Sequence, residues 1–497
     1  MIDTAKTIQK KTAKAIFWSI TELAGAMVVQ FVLGILLARL LSPAEFGVIG
    51  MINIFLALSL LFIDSGLGQA LIFKKDATKT DENTLFCFNV AVGMVVAVAM
   101  AASGGWIADF YRMPQLKSIC MVLALNPLFN AFGIVQFTLL KKTLNFRPMT
   151  YVTLTAVALS GVAGVIAAYC GLGVWALVLQ NLLNNFLRTV LLWILGGWRP
   201  SWQFSWHSFR ELGTYGSKVL ASGMTEVVFK NLYSVIIGKL YTSAMLGFYN
   251  KAYSLEQLPG RFLQNIIARV SFSSFASLNG NSRELKRHFR ESLRLFLVIA
   301  LPTMALMGLL ARPLVLFLIT DKWGPAVPFL QILCVSSPLY LLQILEGNLL
   351  KALGFPGIFF VQDVLKKALL VILVCFFYNR GVETLIWIDA GATFVAFLMM
   401  RMFNMHQIRY EWKEQLQDCL PYAGLTLLMG CGVFVLSRFT SAWAPFWQLA
   451  AGGATGAVLY LTPGIFFREP LMTRMVCWGK HLCEEYWERI GRRRESC

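Results

Sequence analysis

Fourteen stretches of this chain are apolar over about the twenty residues a helix needs to cross roughly 30 Å of hydrocarbon. They run near 15–38, 45–64, 84–107, 118–140, 150–170, 172–195, 216–238, 245–272, 293–319, 325–350, 358–378, 382–404, 418–437 and 446–467. Runs this long, tolerating Gly and Pro inside them, favour helices over barrel strands, which would alternate over about ten residues. With 57% hydrophobic residues, 14% charged residues and a mean hydropathy of +0.64 over 497 residues, little chain remains for a soluble domain. The first run is too long, and too weakly followed by a small-residue cleavage site, for a removable signal peptide. The chain therefore reads as an all-α integral membrane protein of about fourteen transmembrane helices.

A net charge of +18 would suggest nucleic acid in a soluble protein. Here topology absorbs it, and no nucleic-acid partner is expected. With both ends cytoplasmic, about 29 Lys and Arg fall in inside segments, among them Lys74, Lys75, Lys141, Lys142, Arg290, Arg294 and Arg401, while about eight stay outside. That is the asymmetry of the positive-inside rule. Every outside loop is short, which excludes a folded external catalytic domain.

The segment Arg39-Leu40-Leu41-Ser42-Pro43-Ala44-Glu45-Phe46-Gly47 recurs 200 residues later as Lys239-Leu240-Tyr241-Thr242-Ser243-Ala244-Met245-Leu246-Gly247. A second match supports it: Pro127-Leu128-Phe129 and Leu139-Leu140-Lys141 parallel Pro338-Leu339-Tyr340 and Leu349-Leu350-Lys351. These repeats divide the chain into an N-lobe of six spans at 1–200, a C-lobe of six at 201–405, two appended spans at 406–470 and a basic tail at 471–497. Six is even, so the lobes share one orientation, the parallel-repeat plan of transporters that rock around a central path. The same duplication also serves a bundle that only needs to be stable, and channels are built from repeats too.

A charge at the bilayer centre costs roughly 2.5–3.5 kcal/mol, so charges within spans should face protein or water. The embedded cations are Arg188, Lys230, Lys251, Arg261, Arg269, Lys366 and Lys367; the embedded acids are Glu22, Glu226, Glu256, Glu346 and Asp389, with Asp64 and Asp363 nearer the ends. Lys230, Arg261, Lys251 and Arg188 are candidate ligands for an anionic substrate, and Glu22, Glu226 and Glu256 for a coupling ion. Glu226 and Lys230, one turn apart, equally suit a local ion pair. Asn181 and Asn185, with Gln180 and Asn184 on the same span and Asn126, Asn130 and Gln136 on span 4, could hydrogen-bond sugar hydroxyls or bridge helices.

Other features narrow the chemistry. The ten cysteines read as small hydrophobes and the four histidines fall singly, so no metal constellation forms from spacing. The glycine pair in Asp64-Ser65-Gly66-Leu67-Gly68-Gln69-Ala70-Leu71 lacks a Walker pattern, so no nucleotide and no other cofactor is expected. Pro127, Pro259 and Pro302 remove helical hydrogen bonds and invite kinks. Residues 474–494 read as an interfacial amphipathic helix drawn to anionic membrane lipid.

The segments Ala38–Gly47, Asp64–Ile72, Gly247-Phe248-Tyr249-Asn250-Lys251-Ala252-Tyr253, Pro259 and Arg269-Val270-Ser271-Phe272 resemble those of the bacterial polysaccharide transport family. These are Wzx-type flippases of the multidrug/oligosaccharidyl-lipid/polysaccharide superfamily, and the colanic and teichuronic acid branch is the most similar. The resemblance implies a MATE-like carrier of fourteen spans in two pseudo-symmetric lobes in the bacterial inner membrane. It further implies an undecaprenyl-pyrophosphate-linked oligosaccharide as substrate, a cationic cavity, ion coupling, and a polymerase and chain-length regulator as partners. Where relatives often carry a proline after Arg-Val-x-Phe, this chain has Ser273-Ser274. Two alternatives remain open here: a drug or metabolite exporter of the same superfamily, and an integral-membrane polymerase or acyltransferase, although the latter needs a catalytic cluster or large outside loop that the sequence lacks.

Overall fold

The computed structural model describes residues 2–278 and 281–466; the tail at 471–497, Cys477, Cys483, Cys497 and His481 lie outside them, as does the side chain of Arg269. Among the described residues the chain is helical, without strands. In order the helices are α1 (Ile2–Leu40), α2 (Pro43–Asp64), α3 (Leu67–Phe73), α4 (Lys79–Tyr111), α5 (Gln115–Leu123), α6 (Leu125–Lys142), α7 (Phe146–Tyr169), α8 (Val174–Leu195) and α9 (Trp206–Leu240). They continue as α10 (Ser243–Ser277), α11 (Ser282–Leu309), α12 (Ala311–Ile319), α13 (Ala326–Ala352), α14 (Pro356–Phe377), α15 (Val382–Ile408), α16 (Trp412–Phe439) and α17 (Pro445–Phe466).

Eleven helical segments of the described chain are long and apolar enough to cross a membrane, α2 with α3 and α5 with α6 each counting as one. The long helices that fall short are α9, α10 and α14. They are also the helices that carry Glu226 and Lys230, then Lys251, Glu256 and Arg261, then Asp363, Lys366 and Lys367. Charge density sets them apart from purely lipid-facing helices.

The chain packs as two compact units, Met1–Asn250 and Lys251–Cys497, with the boundary inside α10. In the first unit, helices approach through small residues, as association in lipid requires. A methyl group on Gly161 of α7 would collide with Leu33 of α1, and one on Gly164 would press on Gln180 of α8. Toward the loop after α8, Phe86 is buried among Phe132, Trp193, Trp198 and Trp202, with ring centres 5.5–6.3 Å away.

The repeats detected in sequence fold alike. Leu40 ends α1 and Pro43 begins α2; 200 residues on, Leu240 ends α9 and Ser243 begins α10. In the first copy Glu45 accepts from the Ser42 backbone N–H at 2.6 Å and hydroxyl at 2.9 Å, a capping box. In the second the Thr242 hydroxyl accepts from the Met245 N–H at 3.3 Å. The two copies also touch: Cβ atoms on Gly47 and Gly247 would overlap the backbone carbonyls of Ser243 and Pro43 respectively.

The second repeat is a helix ending. Thr143, Leu144 and Asn145 donate their N–H groups to Leu139, Lys141 and Leu140 at 2.9–3.1 Å. Leu353, Gly354 and Phe355 donate to Leu349, Lys351 and Leu350 over the same range. The left-handed position is Leu144 (φ 56°) in one and Gly354 (φ 90°) in the other. This is a glycine-type helix stop with the glycine present once.

Several expectations are corrected. Span 2 continues beyond Asp64 as α3, after left-handed Ser65 and Gly66 (φ 49° and 68°). A Cβ on Gly66 would press the Gly216 carbonyl of α9, so this glycine serves chain geometry. Span 4 is broken between α5 and α6 at Ala124, three residues before Pro127, whereas α10 and α11 continue through Pro259 and Pro302. Cys170, Cys375 and Cys431 are exposed rather than buried. Arg401, read as an inside-loop cation, is fully buried in α15, with Glu346 at 3.7 Å and the Tyr410 ring 4.4 Å from its guanidinium carbon. Asn404 donates to the same Glu346 carboxylate at 2.7 Å, so that embedded acid is tied up within the second unit.

Candidate functional site

The first unit holds a cavity of about 410 Å³ lined by α2, α6, α8 and α9. Its walls are Asn53, Leu56, Ala57, Ser59 and Leu60 of α2; Asn126, Pro127 and Asn130 of α6; Asn181 and Asn185 of α8; and Val227, Lys230 and Asn231 of α9. Six asparagines and one lysine in a mostly apolar wall give it its chemistry.

Four of the amides form a ladder between α6 and α8. Asn126 donates to the Asn181 side-chain oxygen at 2.9 Å and Asn130 to that of Asn185 at 3.2 Å. Asn185 donates back to the Asn126 side chain at 3.2 Å. The constant offset of 55 residues between partners fits two helices running side by side in one direction. The ladder leaves part of the inventory unspent. Each amide offers two donors and an acceptor. Among the described residues, no hydrogen bond uses the Asn181 NH₂ group, the Asn130 or Asn231 side-chain oxygens, or either end of Asn53. Donors and acceptors mixed on one wall match hydroxyl groups, which are both.

Lys230 adds an exposed ammonium without a hydrogen bond or ion pair among the described residues. The local bridge to Glu226 is not formed; Glu226 lies exposed on α9, away from the cavity lining. Arg188 is one turn past Asn185 on α8, its guanidinium carbon 4.3 Å from the centre of the Phe137 ring. Glu22 of α1 accepts from the Thr153 hydroxyl of α7 at 2.9 Å.

The remaining candidates belong to α10 in the second unit. Lys251 is buried, its ammonium 5.9 Å from the Trp323 ring centre. Glu256 is buried and accepts from the Ser337 hydroxyl at 2.6 Å and the Gln257 amide at 3.1 Å. Gln257 in turn accepts from Arg261, which is exposed, at 3.2 Å. On neighbouring helices Lys366 donates to Gln343 at 3.1 Å, and Lys367 pairs with Asp363 at 2.5 Å. Of the nine site candidates, the cavity brings together Lys230, Asn181 and Asn185.

Asn53 and Asn231 join that cavity without having been singled out in sequence. Their signal was present: Asn53 is a lone amide inside an apolar span, and Asn231 follows an embedded lysine. Conversely, Gln136 and Asn184 do not line the cavity. Gln136 is fully buried, and Asn184 donates to Ser160 at 3.2 Å.

Against known proteins, residues 36–328 match the family model described as "Polysaccharide biosynthesis protein". The chain belongs to that family. The teichuronic acid biosynthesis protein TuaB of Bacillus subtilis is 25% identical over 92% of this chain and 95% of its own length. The succinoglycan biosynthesis transport protein ExoT of Rhizobium meliloti is 23% identical over 95% of this chain and 96% of its own. Among solved structures, the lipid II flippase MurJ in an inward closed conformation superposes with a TM-score of 0.75 at 13% identity, covering 92% of this chain and 100% of that one. The chain, with eleven helical segments able to cross a membrane among the described residues, shares that fold. Those proteins are named as a biosynthesis protein, a transport protein and a flippase.

Proposed function

We propose that this protein moves an undecaprenyl-pyrophosphate-linked oligosaccharide across the bacterial inner membrane for polysaccharide assembly. The observation that carries the reading is the cavity of the first unit, whose uncommitted amides and unpaired Lys230 suit sugar hydroxyls and an anionic headgroup together. A cationic drug would need carboxylates there, and the lining has none.

In this reading fourteen helices form two six-helix lobes, 1–200 and 201–405, with 406–470 appended, 471–497 as a basic tail against lipid and both termini cytoplasmic. The lobes rock about a central path. Arg188, Asn181 and Asn185 contact substrate from the first lobe, and Lys230, Lys251 and Arg261 from the second. Glu22, Glu226 and Glu256 carry the coupling ion. A polymerase and a chain-length regulator take the delivered unit.

Cells lacking the protein should accumulate the lipid-linked unit in the cytoplasmic leaflet and lose polymer, with recovery when the intact chain is restored. Normal polymer with no accumulation overturns the proposal.

A further inference from the structure

Two cations in the first unit share one aromatic ring. The Arg188 guanidinium carbon lies 4.3 Å and the Lys141 ammonium 4.4 Å from the centre of Phe137. Two charges so placed are at most about 9 Å apart, and at an effective dielectric of about 20 they repel by about 2 kcal/mol or more. A ring face attracts one cation by about 0.5–2 kcal/mol, so the ring alone does not account for gathering both.

Protein carboxylates do not answer them either. Glu22 and Asp64 are near enough to act on these cations through space. Yet among the described residues neither forms an ion pair with them, and Glu22 is engaged by Thr153. The Arg188 Nε is buried and makes no hydrogen bond among the described residues. The second unit shows what a purely structural arginine pair looks like: Arg290 and Arg294 both close onto Asp418 at 2.5–3.1 Å.

Position adds the second argument. On α6, Asn126, Asn130, Phe137 and Lys141 recur at steps of four, seven and four, one face of a helix. On α8, Asn181, Asn185 and Arg188 do the same. From Asn126 to Lys141 the helix rises by about 22 Å. Amides line its first half and cations its last turns.

We infer that Arg188 and Lys141 form an anion site for a phosphate or pyrophosphate group, set in line with the amide cavity so that phosphate and sugar of one headgroup are held in order along α6 and α8. This rests on the carrier reading and gives it a polarity: the phosphate lies at the Lys141 end, the cytoplasmic one in the proposed topology. Guanidinium supplies a bidentate fork and ammonium a point charge, a combination suited to a diphosphate.

The test is equilibrium binding of radiolabelled inorganic pyrophosphate and of farnesyl pyrophosphate to the full-length protein in detergent, with thermal unfolding of every variant. Both probes should bind, and Arg188→Gln and Lys141→Gln should each weaken binding about ten-fold. Arg188→Lys and Lys141→Arg, which keep the charge, should retain most of it, and Arg380→Gln, at an exposed cation of the loop before α15, should leave pyrophosphate binding unchanged. Tighter farnesyl pyrophosphate assigns the site to a lipid headgroup, equal affinity to the phosphates alone; either supports it. Unchanged affinity in both Gln variants, or no binding to the wild type, overturns it. Transbilayer flux unaffected by Arg188→Gln removes this site and leaves the carrier reading; Arg188-dependent binding without flux does the reverse.

Discussion

At Asn181 a single side chain does two things. Its oxygen accepts from Asn126 at 2.9 Å and Asn185 at 3.3 Å, while its own donors remain uncommitted beside the cavity. Asn181→Leu should therefore cost about 1–3 kcal/mol in thermal unfolding, because two amide donors lose their acceptor. Leu144 offers the opposite case. It is an exposed leucine in a left-handed conformation whose counterpart is Gly354. Leu144→Gly should be neutral to stabilising by up to about 1 kcal/mol, since removing αL strain worth about 1–2 kcal/mol outweighs the added freedom of the unfolded chain. At Asp418, two arginines and the Tyr410 hydroxyl converge on one buried carboxylate. Those arginine side chains are about one-third exposed, at 31% and 35%. Asp418→Ala should thus cost about 2–3 kcal/mol, below the fully buried value, whereas Glu284→Gln at the exposed Arg287 should cost under about 1 kcal/mol. Thermal shifts of the purified variants order these four substitutions. Outside the spans, Lys74 bonds Glu211 at 2.8 Å and Asp81 at 3.0 Å. Chiefly through Glu211, its pKa is held above the ordinary lysine value, so its stabilising contribution is complete at neutral pH and fades only in alkali.

Helices obey the same logic through close approach. The α2 and α10 helices begin with repeated sequences and meet where Gly47 faces the Ser243 carbonyl and Gly247 the Pro43 carbonyl. A methyl group there meets backbone, which cannot rotate away as a side chain can. Gly47→Ala and Gly247→Ala should each lower the unfolding temperature, while Gly105→Ala in α4, with nothing within 4 Å of the new Cβ, should be neutral or stabilising by about 0.5–1 kcal/mol. The lengths of the apolar runs made most helices legible, because run length is a one-dimensional property. The break at Ala124 falls in the turn before Pro127, where the ring removes a helical hydrogen bond, and the break at Ser65 falls where Gly66 takes a positive φ; what was not legible is that α3 continues the span beyond it. Lys141 was read as a loop cation because it ends an apolar run; in space it lies over Phe137.

For the molecule as a whole, residues 36–328 place the chain in a family of polysaccharide biosynthesis proteins, and the fold is that of a solved flippase. Polar residues within apolar runs pointed to three residues of the first unit's cavity, Lys230, Asn181 and Asn185, since each costs free energy in lipid unless protein or water receives it. What composition could not supply was rotation. Gln136 and Phe137 are neighbours in sequence about 100° apart around α6, and one is buried with no side-chain hydrogen bond among the described residues while the other carries two cations. The most direct test of the carrier reading is leaflet-resolved flux of a polyprenyl-pyrophosphate-linked oligosaccharide in reconstituted vesicles, comparing the wild type with Lys230→Ala, Arg261→Ala and Asn181→Leu. Movement in wild-type vesicles, reduced about ten-fold or more by Lys230→Ala, is the expected result. Equal flux in all four discards the assignment of these residues, and no movement with folded wild-type protein contradicts the carrier reading itself.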